Sequence, residues 1–324
     1  MKFNSPYFYL AFFLILNIFN FVDRNLLIAF APQIKSEFNL TNVQWGLLTG
    51  VYFLFFYSVF GIFMGVLGDK FSRMKIAAAG VFLWSLMTAV TGIAKNFSHL
   101  IFARALIGVG ESALTPNAIS MLSDLFKQNQ RGTASAIYYL GIPLGVGFGM
   151  LIAAFFGPIF GWRAVFIFLG LIGMGLGILT YFLFEPIRGQ LDINFDKTSK
   201  PNSIKDILSM TKSALYNSKC LTFVIIGSIF LHIPLGAGNF EVLWAVNERG
   251  FTASSYNSLF GFLFIIGGTV GALAGGILSD RLSHYFKGGV MTFLVISYII
   301  LTPLTVSYRF ISPDSYFFYF TLFF

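Results

Sequence analysis

The chain has 324 residues, 56% of them hydrophobic and only 10% charged, with a mean hydropathy of +0.79. Soluble domains carry about 25% charged residues, so this composition excludes an ordinary soluble domain and indicates a chain built for lipid. The net charge of +8 does not argue for nucleic acid, because the basic residues fall in short loops between apolar runs; one cysteine, Cys220, excludes an intrachain disulfide, and three scattered histidines suggest neither metal nor cofactor.

The first apolar run, 6–30, is too long for a signal-peptide core and no small-residue cleavage site follows it, so it is predicted to be a membrane helix. A span needs about 20 apolar residues. Further spans are predicted at 44–67, 75–94, 98–123, 133–156, 163–184, 220–245, 256–279 and 289–308, and another starts near 315. One set of loops carries Lys35, Lys95, Arg163, Arg249 and Arg309. The N-terminus and the alternate loops carry Lys2, Lys70, Arg73, Lys75, Lys127, Arg131, Arg188, Lys197, Lys200, Lys205, Lys212, Lys219, Arg281 and Lys287. The richer set is expected on the cytoplasmic side, which places the N-terminus inside. Phenylalanine is abundant, at 42 residues. Nucleotide bias accounts for this best; a lipid-like substrate would also suit it.

The long polar stretch 185–219 divides an N-terminal six-helix half, 1–184, from a C-terminal half, 220–324. A repeat supports the division: "GVLGDKFSRMK" (65–75) follows the second span, and "GGILSDRLSHYFK" (275–287) follows the second span after the boundary. Repeated halves are typical of secondary transporters. Asp69 with Arg73 and Lys75 can tie helix ends together by charge and dipole contacts, and Asp280 with Arg281 repeats the pattern; positive-inside charge alone would not require the aspartates.

Two basic residues, Arg24 and Arg104, lie inside spans, as do Asp23 and Glu111. Charges at such depth face a water-filled cavity or a partner. Arg104 and Glu111 are seven residues apart, so they share a helix face about 10 Å apart along its axis. Asp23 lies at the depth of Arg104 and is expected to pair with it if the faces meet, while Arg24 can reach toward Glu111 or Asp23. Either the four charges form a fixed ion-pair network, or a carboxylate that gains and loses its partner as helices rock binds and releases a proton.

"GIPLGVGFG" (141–149) is not a nucleotide loop, because it lies within a span. Gly141, Gly145, Gly147 and Gly149 are expected to permit close helix approach, with Pro143 permitting a kink. The eighth span is also glycine-rich (Gly261, Gly267, Gly268, Gly271, Gly275, Gly276), so a packed or sliding contact between the halves is expected there. "FNLT" and "KNFS" place glycosylation-type sequons at Asn39 and Asn96 in outer loops.

These motifs resemble the major facilitator superfamily: "GVLGDKFSRMK", including Gly65, Gly68, Asp69, Arg73 and Lys75, is similar to its signature loop, and "RALIGVGES" (104–112) to its helix 4 motif. "NFVDR" (20–24), "GVGES" (108–112), "SDLF" (123–126), "GIPLGVGFG", "GWRAVF" (161–166) and "EPIRG" (185–189) most resemble the Spinster-like branch. The neighbouring organic anion:cation symporters share the N-x-x-D-R helix. Ser72 stands where the superfamily loop often has glycine. The resemblance implies an all-α polytopic fold of two six-helix halves. It implies that the second half is incomplete here, containing helices 7 to 9 and the start of 10. It also implies a monomeric, proton-linked or facilitative carrier of lysophospholipids or sphingoid phosphates in the cell (inner) membrane if bacterial. Asp23, Arg24 and Glu111 would form the cavity cluster, and Asp69 and Arg73 a cytoplasmic gate. A carrier of a small organic acid remains open, with His232, Asn239 and Glu241 as extra polar groups, as does a sensor that lost transport. No nucleophile–base pair suggests an enzyme.

Overall fold

A computed structural model describes residues 5–191, 204–286 and 288–323. Lys2, Lys197, Lys200, Lys287 and Phe324, together with the central part of the polar linker, lie outside the described residues. Within them the chain is helical. The first half comprises α1 (Pro6–Ala29), α2 (Ala31–Glu37), α3 (Asn42–Gly46), α4 (Tyr52–Lys70), α5 (Arg73–Gly92), α6 (Phe97–Glu111), α7 (Leu114–Leu125), α8 (Arg131–Tyr139) and α9 (Gly141–Tyr181). After the linker come α10 (Ile204–Asn217), α11 (Lys219–Ala237), α12 (Glu241–Arg249), α13 (Ala253–Leu282), α14 (Gly289–Ser307) and α15 (Tyr316–Phe323). Among the described residues, seven helical stretches are long and apolar enough to cross a membrane.

Four predicted spans of the first half have a different form. The second enters through the short α3 and a π-helical turn, Leu47–Val51, before continuing as α4. The fourth is broken between α6 and α7 at Ser112 and Ala113. Pro116 explains the break: it has no N–H for the Ser112 carbonyl, and its ring crowds that carbonyl one turn back. The fifth and sixth spans are joined almost without a loop. Gly161 turns the chain at φ 74° and ψ 159°, a conformation that a side chain would resist.

Glycine determines how the spans approach. α6 is gripped from both sides. A Cβ at Gly108 would lie 2.7 Å from the Phe53 carbonyl of α4, and one at Gly110 2.8 Å from the Gly80 carbonyl of α5. The glycine run of α9 divides its faces. Gly141, Gly145 and Gly149 abut α1, at Asn17, Phe21 and Val22. Only Gly147 and Pro143 meet α13, at Gly261, Ile265 and Gly268. The expected contact between the halves therefore exists, but the other three glycines serve packing within the first half.

The halves meet along one end. Ser254 donates to the Ala154 carbonyl at 2.7 Å, Asn257 to the Ala29 carbonyl at 2.9 Å, and the Trp45 indole to the Asn239 carbonyl at 2.9 Å. Val242, Leu243, Ala245 and Tyr256 share a core with Leu26, Phe30, Ile34 and Trp45. Beyond the Pro143–Gly268 contact the helices part, and nothing lies within 4 Å of a Cβ at Gly271, Gly275 or Gly276. The end that is closed carries the sparse-charge loops.

Candidate functional site

The charged site sits where α1, α4, α5 and α6 converge. Asp23, Arg104 and Glu111 are buried, and Arg24 is partly so. Adjacent residues on a helix point about 100° apart, so Asp23 and Arg24 face different neighbours. Arg24 Nε donates to Glu111 Oε2 at 2.5 Å. Its guanidinium also lies 5.0 Å from the Phe21 ring centroid, 4.8 Å from Phe53 and 4.6 Å from Tyr57. The Glu111 side chain is wholly buried, whereas 21% of the Arg24 side chain remains exposed.

Asp23 does not pair with Arg104, contrary to the expectation from depth. Its Oδ2 accepts a hydrogen bond from the Thr88 hydroxyl of α5, and among the described residues it makes no ion pair. Arg104 instead places its guanidinium over the Phe53 ring, 4.4 Å from the centroid. Asp23 Oδ1 and Arg104 Nε are buried without a hydrogen-bond partner. Both residues line a narrow cavity with Leu27, Leu48, Thr91, Leu100, Ile107 and Phe166. The two charges therefore share a chamber without closing on each other. Thr88 was not legible as a site residue, since a threonine within an apolar span resembles ordinary packing.

The signature loop departs further from expectation. Arg73 is buried, yet its partners are Asp124 at 2.5 Å, Glu185 at 3.0 Å, the Ser120 hydroxyl at 2.9 Å and the Pro186 carbonyl at 3.1 Å, not Asp69. Asp69 and Lys75 are exposed, and the Lys75 ammonium lies 5.6 Å from the Tyr181 ring centroid. Arg188 ties down the end of α4, donating to the carbonyls of Gly68, Asp69 and Phe71. A helix C-terminus leaves its last carbonyls unpaired, and a guanidinium satisfies several at once. Gly189 N and Gln190 then bind Asp124, so 185–190 forms a strap across the loop. "SDLF" and "EPIRG" contain these partners, and their charges inside short polar motifs were the available signal. Burial raises the proton affinity of Glu185, but hydrogen bonds from Ser72 and Arg73 outweigh it and hold the carboxyl below its ordinary range.

Gly65, Gly68, Asp69 and Arg73 line a cavity of about 390 Å³ with Pro116, Asn117 and Ser120. Asp280 and Arg281 are exposed and make no ion pair among the described residues, so the repeat does not reproduce the Arg73 network. Of the extra polar groups, His232 is exposed and bonds the Ser228 carbonyl one turn back. Glu241 belongs to a separate cluster, accepting from Tyr256 at 2.9 Å, Tyr308 at 2.7 Å and Arg309 at 2.7 Å. Asn239 contributes its backbone carbonyl to Trp45. "GWRAVF" supplies a further tie: Arg163 bonds Glu37 at 2.6 Å and the Ala94 carbonyl at 2.7 Å, while the Trp162 indole donates to Glu37 at 2.8 Å. Among the described residues no cluster of histidine, cysteine, aspartate or glutamate could hold a metal.

A family model described as Major Facilitator Superfamily matches residues 13–324. Protein spinster of Drosophila melanogaster is 28% identical, covering 86% of this chain and 46% of its own length. The sphingosine-1-phosphate transporter SPNS2 of Danio rerio is 32% identical, covering 54% of this chain and 36% of its own. A probable L-galactonate transporter of Escherichia coli is 25% identical, covering 84% of this chain and 60% of its own. The chain thus spans about half the length of the curated relatives it matches. A bacterial homologue of the human lysosomal transporter Spinster, solved in an inward-facing and unoccupied conformation, superposes with a TM-score of 0.81 at 23% identity, covering 100% of this chain and 72% of that one.

Proposed function

The chain belongs to the Major Facilitator Superfamily, and from that membership we propose that it serves a proton-coupled secondary transporter carrying an amphipathic anion, such as a lysophospholipid or sphingoid phosphate, by alternating access. The observation that carries this reading is the aromatic-ringed Arg24–Glu111 pair, with the carboxylate sealed in and the guanidinium partly open. An anionic head group competes with Glu111 for Arg24, and the apolar helix faces beside it accept a tail. Bidentate binding of phosphate by a guanidinium suits such a head group.

Asp23 is the preferred proton site. It is buried and has no ionic partner, so a proton removes a charge that the surroundings scarcely compensate. Arg104 shares its chamber and is its counter-charge when helices move. Glu111 is the alternative site, since an anion that takes Arg24 leaves it unpaired. The N-terminus is cytoplasmic in this scheme, so the closed end is outer and the parted end inner. The relatives named for sphingosine 1-phosphate and for L-galactonate mark the two substrate classes to compare. The rings of Phe21, Phe53 and Tyr57 around Arg24 favour the amphipathic one.

The test uses the complete parent protein in proteoliposomes. Fluxes of a lysophospholipid and of a hexuronate are measured under an imposed pH gradient, for the wild type, Asp23→Asn and Glu111→Gln. Lysophospholipid flux that follows the gradient, and loses that response in Asp23→Asn, supports the reading. Flux of hexuronate alone replaces the substrate class. Loss of the response only in Glu111→Gln moves the proton to Glu111.

A further inference from the structure

Thr88 is buried, and its single hydroxyl proton has two acceptors within reach. One is the Trp84 carbonyl one turn back, at 2.9 Å, and the other is Asp23 Oδ2. Buried threonines in helices commonly bond the carbonyl four residues back, and Thr49, Thr91 and Thr180 do so here, without a carboxylate at the same oxygen. A hydroxyl donates one proton and accepts on its lone pairs, so Thr88 serves one of its two acceptors at a time.

We propose that Thr88 is the positioning residue of the proton site, a hydroxyl that reverses its hydrogen bond each time Asp23 gains or loses a proton. This rests on Asp23 being the proton site, as argued above. With Asp23 ionised, Thr88 donates to Oδ2. When a proton arrives on Oδ2 from the cavity, the new carboxyl O–H donates to Thr88 Oγ1. The threonine proton then rotates about the Cβ–Oγ bond onto the Trp84 carbonyl. One proton is added in total, to Asp23; Thr88 keeps its own and changes only its direction. Oδ2 and Oγ1 are paired in both states, so Asp23 can titrate without stranding a buried group at that oxygen.

The charged groups around Asp23 are few. Its own helix contributes Arg24 and α6 contributes Arg104 and Glu111; α5 offers Thr88 and Thr91, and α9 offers Phe166, neither helix adding an ionisable group there. α4 brings Tyr57, which lies against Arg24. Thr88 is therefore the one hydrogen-bond donor the structure gives this carboxylate among the described residues. A valine of nearly the same shape removes it.

The experiment is an infrared titration of the complete protein in lipid nanodiscs. The protonated-carboxyl band of Asp23 is identified by its disappearance in Asp23→Asn. Thr88→Val and Thr88→Ser are titrated beside the wild type, with thermal melting to confirm that both fold. Thr88→Val loses a charge-assisted bond to the ionised carboxylate and a weaker neutral bond from the protonated carboxyl, and that difference moves the midpoint to higher pH by about one unit. Thr88→Val is expected to show that shift, together with a changed carbonyl stretch, while Thr88→Ser retains the wild-type midpoint. An unmoved midpoint in Thr88→Val, or an equal shift in Thr88→Ser, overturns the proposal. Proton-driven flux is read separately: flux indifferent to pH beside a Thr88-dependent titration refutes the coupling reading and leaves the hydroxyl switch standing.

Discussion

Removing Arg24 should damage the protein more than neutralising Glu111, although each change breaks the same pair. Glu111 has no exposed side-chain surface, whereas Arg24 retains 21% and touches three aromatic rings. Arg24→Leu strands a fully buried carboxylate, for which loss of the partner costs about 3–5 kcal/mol. Glu111→Gln keeps an oxygen able to accept from Arg24 Nε. It loses the charge assistance, about half the strength of such a bond or roughly 1–1.5 kcal/mol, and the rings retain part of the cation's stabilisation at about 0.5–2 kcal/mol. In Arg24→Leu/Glu111→Gln the stranded charge is gone, so the double variant should be more stable than Arg24→Leu alone and fall short of the summed losses by about 2 kcal/mol. The assay is thermal and denaturant unfolding of all four proteins in one detergent at neutral pH, repeated in mild acid. There Arg24→Leu should recover, because protonation removes its unpaired charge. Additive losses within about 0.5 kcal/mol would refute a buried, energetically coupled pair, as would a Glu111→Gln loss as large as that of Arg24→Leu.

Replacing Gly110 by valine should cost at least about 1–3 kcal/mol, because its Cβ would lie 2.8 Å from backbone atoms of α5 that cannot yield as a side chain could; unchanged melting would contradict the described packing. Glu37 is held below the ordinary carboxylate range, chiefly by its hydrogen bond from Arg163. A depressed folded-state value means that its stabilisation is present above the unfolded value and lost as pH falls through the folded one. Glu37→Gln should therefore lose under about 1 kcal/mol at neutral pH, small because the pair is exposed, and converge with the wild type in acid, which flattens the acid side of the stability profile below about pH 5. Trp45→Phe deletes the indole bond to the Asn239 carbonyl that joins the halves. Losing about 1 kcal/mol from the closed end should raise labelling of a cysteine placed there about fivefold, and unchanged labelling would remove Trp45 from the closure.

The spans were legible because hydropathy is a local, one-dimensional property: the runs at 6–30, 75–94 and 289–308 became helices close to their predicted limits. Pro116 and Gly161 were less legible. A proline late in an apolar run does not announce that the helix breaks four residues earlier beside Glu111, nor does one glycine show that two spans join without a loop. In the signature loop Arg73 was given a partner near in sequence. Its actual partners, Asp124 and Glu185, are 51 and 112 residues away.

Sequence by itself determined that this is a polytopic helical membrane chain of two related halves, that Asp23, Arg24, Arg104 and Glu111 lie inside the spans of its first half, and that glycine-rich faces bring its helices together. Tertiary structure decided how those charges are shared: Arg24 to Glu111, Asp23 to Thr88, and Arg104 to an aromatic ring. The reason is rotational. Depth along a helix follows from residue count at 1.5 Å per residue, whereas the direction of each side chain depends on how neighbouring helices turn about their axes. That rotation is set by the close backbone contacts at Gly80, Gly108 and Gly110.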